Sequence, residues 1–501
     1  MKRSANAVFT TIRLNENDPV PLYHQLYEAL REAILTGQLV ADSRLPSTRL
    51  LAEELNVSRN TVLTAFLQLY AEGYTNSRVG SGTYIASVMP DQLLAARPSP
   101  RPASADIAPK HPLSQRSQVL AQSASVLRRT MYDFSEEISA FQDGVPALDA
   151  FPTEIWGQML TRCWRHSSTQ MMSYKSPAGY PPLREAIAAY LGAARGVRCS
   201  PEQVIVVNGS QQAIAMVAQV LLDPGDAAWI EDPGYLGARG VLLNAGADLV
   251  PVPVDSEGLD VAAGMLRCPG ARLAFVTPSH QFPLGVTMSL SRRLRLLDWA
   301  KRSGAWIVED DYDSEFRYVS RPLVALQGLD TEGRVIYLGT FSKVLFPSLR
   351  LGYMVVPPDL VDVFTAARLM ADLHSPILEQ AIVADFITEG HFARHIRRMR
   401  TLYAERQAAL VEAAGRELRG KLEVSPAEAG LHLIGWLPEG QDDRTAAARA
   451  AEQGMKTQPL SQYKIERGGK TGLLLGYAAV SSQNINAGVK RLAEALTPRD
   501  Y

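Results

Sequence analysis

A short loop in the second half of the chain brings together two hydroxyls, an amine and a guanidinium. The hydrophobic run 335–339 reads as a buried strand, and Thr340, Ser342 and Lys343 follow it, with Arg350 a little further on. In open α/β sheets, ligands bind at the edge where the strands end. A lysine amine can form a Schiff base with an aldehyde, and an arginine can pair with a phosphate through two parallel hydrogen bonds. These residue types therefore indicate a site for a phosphorylated aldehyde.

A second hydrophobic run lies upstream and ends in acids. Residues 305–308 lead into the stretch 309–312, which contains Asp310. A carboxylate at a strand end can keep a pyridinium nitrogen protonated, which makes the ring an electron sink. The alternative interpretation of the loop 340–350, as surface charges beside a turn, does not account for this upstream acid.

The lysine loop and its upstream acid resemble the fold-type I pyridoxal-phosphate enzymes, the aminotransferase type. The resemblance implies that Lys343 forms an internal aldimine with pyridoxal 5'-phosphate and that Asp310 pairs with the pyridinium nitrogen. It also implies that Tyr312 contacts the ring hydroxyl and that Arg350 holds the phosphate. The implied ligands in this region are Asp310, Tyr312, Thr340, Ser342, Lys343 and Arg350.

Two earlier strand ends add to the same predicted edge. After the apolar run 204–208, Ser210 and Gln211 open a helix whose free N–H groups and dipole suit a phosphate. After the run 228–230 comes Tyr235, which the resemblance places against the pyridine ring. A core or turn tyrosine is the alternative interpretation of Tyr235.

The N-terminal region has the pattern of a helix-turn-helix. Residues 22–35 carry apolar side chains at helical spacing, and Ser47 and Ser58 can each cap a following short helix. The second of these helices opens with Arg59 and Thr61. Small, polar and cationic side chains at that position suit base edges and phosphates in a major groove.

Two predicted strands around a glycine turn follow, which would form a wing. With "LPSTRLLAEELNVSRNTV" and "GSGTYIA", residues 21–85 resemble the GntR-type winged helix. The resemblance implies double-stranded DNA as the partner and places a wing tip, residues 80–82, near the minor groove. The implied DNA ligands are Arg44, Ser47, Arg49, Ser58, Arg59, Thr61 and Gly82. The alternative is a small structural domain with solvated arginines.

The sequence "TPSHQFPLG", residues 277–285, follows another predicted strand. Aminotransferases usually have Asn-Pro-x-Gly here, with the asparagine on the ring oxygen, whereas this chain offers His280 as the candidate ligand. The "TPSHQFP" wording resembles the MocR regulators, in which a GntR winged helix is fused to an aminotransferase-like domain. This resemblance spans the whole chain.

Length and composition agree with a multidomain protein. The chain has 501 residues, more than one core accommodates, and a net charge of −1 that by itself gives no sign of a nucleic-acid partner. Its three cysteines are scattered without a CxxC pair, so neither a disulfide framework nor a metal site is expected. No signal-peptide pattern and no membrane-spanning apolar run is found, which predicts a cytoplasmic protein.

Three regions are predicted. Residues 1–86 form the winged helix, and the Pro-, Ala-, Ser- and Arg-rich residues 87–131 form an extended linker with no core of its own. Residues 132–501 form the aminotransferase-like α/β domain, a mostly parallel doubly wound sheet with a small C-terminal α/β lobe. Because fold-type I sites are built at a subunit interface, the resemblance also implies a homodimer in which the region of Tyr174 completes the partner's phosphate site.

Two functions fit this plan. One is a DNA-binding transcriptional regulator that senses pyridoxal phosphate, an amine or an amino acid at Lys343, with little or no turnover. The other is an active aminotransferase with an accessory DNA-binding module. Active relatives usually carry an arginine in a strand of the C-terminal lobe that grips the substrate's α-carboxylate, and residues 472–477 contain none. This favours the regulator, with the cofactor itself or an unusual amine as effector. His432 is expected to be a packed strand histidine, with a position near the substrate as the alternative.

Overall fold

The computed structural model divides into two compact units, Met1–His111 and Pro112–Tyr501. The residues it describes are 9, 12–78, 82–87, 112, 114–130, 138–166, 169–319 and 323–497. Within those residues, no helix combines the length and the apolar character that crossing a membrane requires.

The first unit is a winged helix-turn-helix, as predicted. Its described elements are α1 (Leu22–Leu35), α2 (Thr48–Leu55), α3 (Arg59–Ala71), β1 (Thr75–Arg78) and β2 (Gly82–Ile85). Leu26, Leu30, Leu51, Val62 and Leu69 are fully buried between the helices. The strands β1 and β2 pair antiparallel as the wing. Of its predicted tip, residues 80–82, the first two lie outside the described residues and Gly82 begins β2.

The predicted linker is not extended throughout. Residues Gln115–Thr130 form a helix, α4, which belongs to the second unit, and the prediction of an extended linker is wrong for this stretch. The prolines of region 87–131 all precede residue 114, so the second half is free to form a helix. Ser114 begins it by accepting a hydrogen bond from the backbone N–H of Ser117 at 3.1 Å. The rest of the predicted linker, residues 88–111, lies outside the described residues.

The second unit is built around a large mixed sheet. Its strands are β3 (Val204–Val207), β4 (Ala227–Asp232), β5 (Asp248–Asp255), β6 (Gly258–Leu259), β7 (Leu273–Val276), β8 (Trp306–Asp311), β9 (Val335–Thr340) and β10 (Gly352–Val355). The spatial order is β3-β10-β9-β8-β7-β4-β5-β6, in which β10 and β6 run antiparallel to their neighbours and the rest run parallel. The predicted mostly parallel, doubly wound sheet is therefore confirmed.

Helices cover this sheet and connect its strands. Besides α4, the helices of the described second unit, including those of its C-terminal lobe, are α5 (Thr153–Arg165), α6 (Pro181–Arg195), α7 (Ser210–Leu221), α8 (Leu236–Ala245), α9 (Val261–Arg267), α10 (Leu290–Ser303), α11 (Leu326–Leu329), α12 (Val361–Asp372), α13 (Ile377–Thr388), α14 (His391–Glu417), α15 (Asp443–Glu452) and α16 (Ser482–Ala495). Alternate residues of one strand enter different cores: Tyr337 packs in one, and Ile336 and Leu338 pack in another. Both faces are thus buried, which is why β9 begins with an unbroken hydrophobic run and β8 does so until its acidic end.

A smaller antiparallel sheet forms the C-terminal lobe. Its strands are β11 (Glu423–Val424), β12 (His432–Trp436), β13 (Gln458–Pro459) and β14 (Gly472–Gly476), in the order β11-β12-β14-β13. His432 of β12 pairs with Gly476 of β14. The bridge between Phe141 and Gly476 attaches the segment before α5 to the end of β14.

Candidate functional site

A cavity of about 160 Å³ opens where the parallel strands of the large sheet end. The loops after β3, β4, β7, β8 and β9 all contribute to its wall, as the sheet geometry requires. The predicted cofactor ligands that line it are Ser210, Gln211, Tyr235, Asp310, Tyr312, Thr340, Ser342, Lys343 and Arg350. The structure therefore brings together all the predicted ligands except His280.

Lys343 projects into this cavity from the loop after β9. Its Nζ donates a hydrogen bond to the backbone carbonyl of Gly144 at 2.7 Å. Burial lowers the pKa of the Lys343 ammonium, and the nearby carboxylates, led by Asp143, oppose that effect. A lowered pKa keeps more of the amine neutral, and the neutral amine is the form that attacks a carbonyl carbon.

Asp310 lies at the end of β8 with an unsatisfied oxygen. Its Oδ1 is buried and has no hydrogen-bond partner among the described residues. Burial, reinforced by the charge of Asp311, raises the pKa of Asp310 to about 7. A buried carboxylate of this kind calls for a cationic donor, and a pyridinium N–H supplies one. The unpaired, buried carboxyl of Asp310 therefore fits the pyridinium nitrogen of pyridoxal phosphate.

The opposite end of the cavity suits an anion. Gly209, with φ of +115°, precedes α7, so the first free N–H groups of that helix face the cavity side on which Ser210 lies. A Cβ built on Gly209 would lie 3.3 Å from a guanidinium nitrogen of Arg350, which places the arginine directly over this helix terminus. The helix dipole, the hydroxyl of Ser210 and the guanidinium together form a phosphate cradle.

Tyr235 is held in place by a neighbouring ligand. The amide Nε2 of Gln211 donates a hydrogen bond to the Tyr235 hydroxyl at 2.9 Å. Gly237 leaves room for this pair, because an added Cβ there would collide with both side chains. The tyrosine lines the cavity between the phosphate cradle and Phe282, whose ring centroid lies 6.0 Å away.

His280 is buried behind the cavity and is not among its lining residues. Its Nδ1 lies 2.9 Å from the Tyr312 hydroxyl and 3.0 Å from Asp313 Oδ2. A side chain at Gly430 would overlap its ring, so the histidine is tightly enclosed. The structure therefore does not bring His280 to the cofactor position; it orients Tyr312, the residue that does line the cavity.

Other lining residues were not singled out from the sequence. Asp143 and Gly144 reach the cavity from the segment before α5, and Thr277 and Phe282 reach it from the loop after β7. His432 also lines the cavity, although it is buried in β12 as a strand histidine would be. The available signal was the Asp-Gly turn at residues 143–144, where Gly144 adopts φ of +74°.

The strand expected to hold a carboxylate-gripping arginine is β14. Its central residue Leu474 is fully buried and packs with Phe282 and Ile434. The described residues that line the cavity include one lysine, Lys343, and one arginine, Arg350. Both belong to the predicted cofactor site. Among these lining residues, the substrate side therefore lacks a cation of its own.

Comparison with known proteins identifies the family. Residues 144–492 match the profile "Aminotransferase class I and II", and residues 22–85 match "Bacterial regulatory proteins, gntR family". The chain is 45% identical to the probable rhizopine catabolism regulatory protein MocR of Rhizobium meliloti, over 96% of this chain and 95% of that protein. The chain belongs to the MocR family.

Two further comparisons agree with this assignment. The uncharacterized HTH-type transcriptional regulator YhdI of Bacillus subtilis is 34% identical over 97% of this chain and 98% of its own. The crystal structure of LysN, the α-aminoadipate aminotransferase of Thermus thermophilus, superimposes with a TM-score of 0.69 at 32% identity, covering 77% of this chain and 98% of that one. The chain is thus a transcriptional regulator with a GntR DNA-binding domain and a pyridoxal-phosphate-dependent, aminotransferase-like domain, which confirms the predicted family, fold and cofactor.

The DNA-binding domain of this MocR-family chain presents the predicted residues at its surface. Ser47 and Ser58 cap α2 and α3, accepting hydrogen bonds from the backbone N–H groups of Leu50 and Thr61. Arg59 is exposed, and its Nε donates a hydrogen bond to the Thr48 hydroxyl at 3.3 Å. The two caps thus fix the start of α3, where the predicted DNA ligands Arg59 and Thr61 lie.

Arginines also flank the wing of the DNA-binding domain. Arg49 is exposed on α2, and the exposed Arg44 pairs with Tyr84 of β2. A Cβ built on Gly82, with φ of +111°, would lie 2.9 Å from Nε of Arg44. The absence of a side chain at Gly82 therefore allows the guanidinium of Arg44 to lie along the wing.

Proposed function

We propose that this regulator couples DNA binding to a small amine, or to pyridoxal phosphate itself, bound in the cavity at Lys343. The observation that carries this proposal is the contrast between the two sides of the cavity. The cofactor side offers Lys343, the unsatisfied Asp310 and the cradle at Arg350. Among the described lining residues, the substrate side offers no arginine for a carboxylate, so an effector can be held without being oriented for turnover.

The residues divide the work of holding the cofactor. Pyridoxal phosphate supplies an aldehyde that condenses with amines and a ring that withdraws electrons. Lys343 would bind the aldehyde, Asp310 would keep the ring nitrogen protonated, and Tyr312 would contact the ring hydroxyl. Tyr235 would pack against the ring, and Ser210, Gln211, Thr340, Ser342 and Arg350 would hold the phosphate.

An active aminotransferase with an accessory DNA-binding module is the second candidate function. It is favoured by the 32% identity to LysN, which was crystallised as a complex with N-(5'-phosphopyridoxyl)-L-leucine. It is disfavoured by Leu474, because this apolar side chain lies in the strand where an arginine that binds the substrate carboxylate is expected.

A homodimer is part of the proposal. Tyr174, Met172 and Met370 are 81%, 67% and 81% exposed, which is unusual for large apolar side chains. A second copy of the chain would cover them and would bring Tyr174 of one subunit beside the cofactor site of the other. Two winged helices in one dimer would then reach two half-sites separated by whole helical turns.

Paired assays on one preparation distinguish the two functions. Operator binding is measured by gel shift with and without pyridoxal phosphate and amines, and amino-group transfer is measured by absorbance. We expect a ligand-dependent change in operator affinity and no transfer with common L-amino acids. Transfer at about 1–10³ per second, with operator binding insensitive to ligand, would favour the aminotransferase. Sedimentation of the same preparation as a monomer with full cofactor occupancy would contradict the dimer.

A further inference from the structure

One formal charge at the cavity has no counterpart in the cofactor. When pyridoxal phosphate is held as proposed, Arg350 faces the phosphate, Asp310 faces the ring nitrogen and Lys343 faces the aldehyde. Asp143 also lines the cavity, and none of the cofactor's groups is left to pair with it. Its side chain is 16% exposed, so the carboxylate is accessible to a ligand from within the cavity.

The backbone around Asp143 is held in a defined position. The N–H of Gly476 donates a hydrogen bond to the carbonyl of Phe141 at 3.1 Å, which ties this segment to the end of β14. A Cβ on Gly476 would lie 2.9 Å from the Cα of Asp143, so the two segments touch closely. The carbonyl of Gly144, the next residue, accepts the hydrogen bond from Lys343. Asp143 is therefore fixed directly beside the reactive amine.

His432 places a second polar group beside this carboxylate. Its Nε2 lies 2.9 Å from the carbonyl oxygen of Pro283, an acceptor, so Nε2 carries the proton that it donates. Its Nδ1 lies 3.3 Å from Oδ1 of Asp143. A carboxylate has about four acceptor positions on its two oxygens, so an ammonium or hydroxyl group of a ligand can donate to Asp143 alongside this histidine.

The same surroundings disfavour a ligand carboxylate. Asp143 would repel it, and Leu474 in β14 offers no hydrogen bond. We propose that the effector of this site is an amine without a carboxylate group that carries a second donor, an ammonium or a hydroxyl, and that Asp143 selects it by accepting that donor. This inference rests on the proposed sensing function and adds the chemical class of the effector.

Ligands of equal chain length provide the test. Binding of 1,4-diaminobutane, 4-amino-1-butanol and 4-aminobutanoate to the cofactor-loaded full-length protein is measured by calorimetry, and each is then added to an operator gel shift. We expect the diamine and the amino alcohol to bind about tenfold or more tightly than 4-aminobutanoate, as one charge-assisted hydrogen bond provides. Asp143→Asn should reduce the preference for the diamine over 4-aminobutanoate by about tenfold, and Asp143→Glu should restore part of it.

A charge-matched control separates local from general effects. Glu332→Gln removes one carboxylate from an exposed ion pair with Lys301 and should leave the order of the three ligands unchanged. If wild-type protein binds 4-aminobutanoate as tightly as the diamine or more tightly, the inference is overturned. An unchanged preference in Asp143→Asn overturns the role of Asp143. Loss of cofactor absorption or of operator binding in wild-type protein would instead refute the proposed function.

Discussion

Replacing Asp310 by asparagine removes a buried acid whose pKa in the cofactor-free protein is raised to about 7. A carboxyl whose folded pKa lies above its unfolded value contributes stability at low pH, and that contribution is lost as the pH rises through the folded pKa. With an ordinary pKa of 3.8 and a folded pKa of about 7, the loss between about pH 5 and about pH 8 is about 2–3 kcal/mol. An asparagine amide does not titrate, so the variant should lack this part of the pH dependence.

The assay is urea unfolding of the cofactor-free wild-type protein and the Asp310→Asn variant at several pH values in that window. We expect the wild type to lose about 2–3 kcal/mol relative to the variant as the pH rises. Other buried acids, including Glu231, whose burial raises its pKa to about 7, are present in both proteins, so the difference isolates Asp310. Glu332→Gln serves as an exposed control.

Adding pyridoxal phosphate sharpens this test. If the ring cation pairs with Asp310, the loaded wild type should keep its stability at high pH, because the partner favours the ionised carboxylate. The loaded variant should retain the cofactor less well. Parallel pH curves for the cofactor-free wild type and variant would refute the reasoning, since they would show that Asp310 ionises alike in the folded and unfolded chain.

Three further changes probe the cofactor and DNA sites separately. Lys343→Ala should abolish the visible absorption of the bound cofactor; a spectrum like that of the wild type would exclude Lys343 as its covalent partner. Arg59→Ala should weaken operator binding by about 1–3 kcal/mol if Arg59 reads a base, measured by gel shift, with unchanged affinity counting against that role. Gly82→Val should weaken operator binding while leaving cofactor absorption intact, because the new side chain displaces Arg44 and strains a backbone with φ of +111°. A Gly82→Val protein with wild-type affinity for the operator would show that the position of Arg44 does not matter.

Features set by local sequence could be predicted. Hydrophobic runs in the sequence predicted β8 and β9. Asp310 and Lys343, which lie at or just after the ends of these strands, line the cavity because parallel strands end at a common edge. Helix α4 was not predicted, because the composition of 87–131 was averaged over the whole region. The prolines lie only in its first part, and the second part can form a helix.

Features set by long-range contacts could not be predicted. Asp143 reaches Lys343 only through hydrogen bonds between segments distant in sequence, such as Gly476 to Phe141. His280 follows a strand end just as the true lining residues do. Whether its ring turned toward the cavity or toward Asp313 depended on packing against Gly430, which no sequence spacing reveals.

The two sides of the cavity come from different parts of the second unit. Lys343, Asp310 and Arg350 belong to strand ends and loops of the large sheet, whereas His432 and Leu474 belong to the small one, to which Asp143 is tied through Gly476. Substitutions in the small sheet can therefore change which ligand is accepted while the cofactor side stays intact, and one fold can support both enzymes and regulators. Transfer of an amino group needs the substrate held at two points, because orientation contributes much of the rate. In the proposed sensor a single contact to Asp143 suffices, because the ligand has only to remain bound long enough to alter operator affinity.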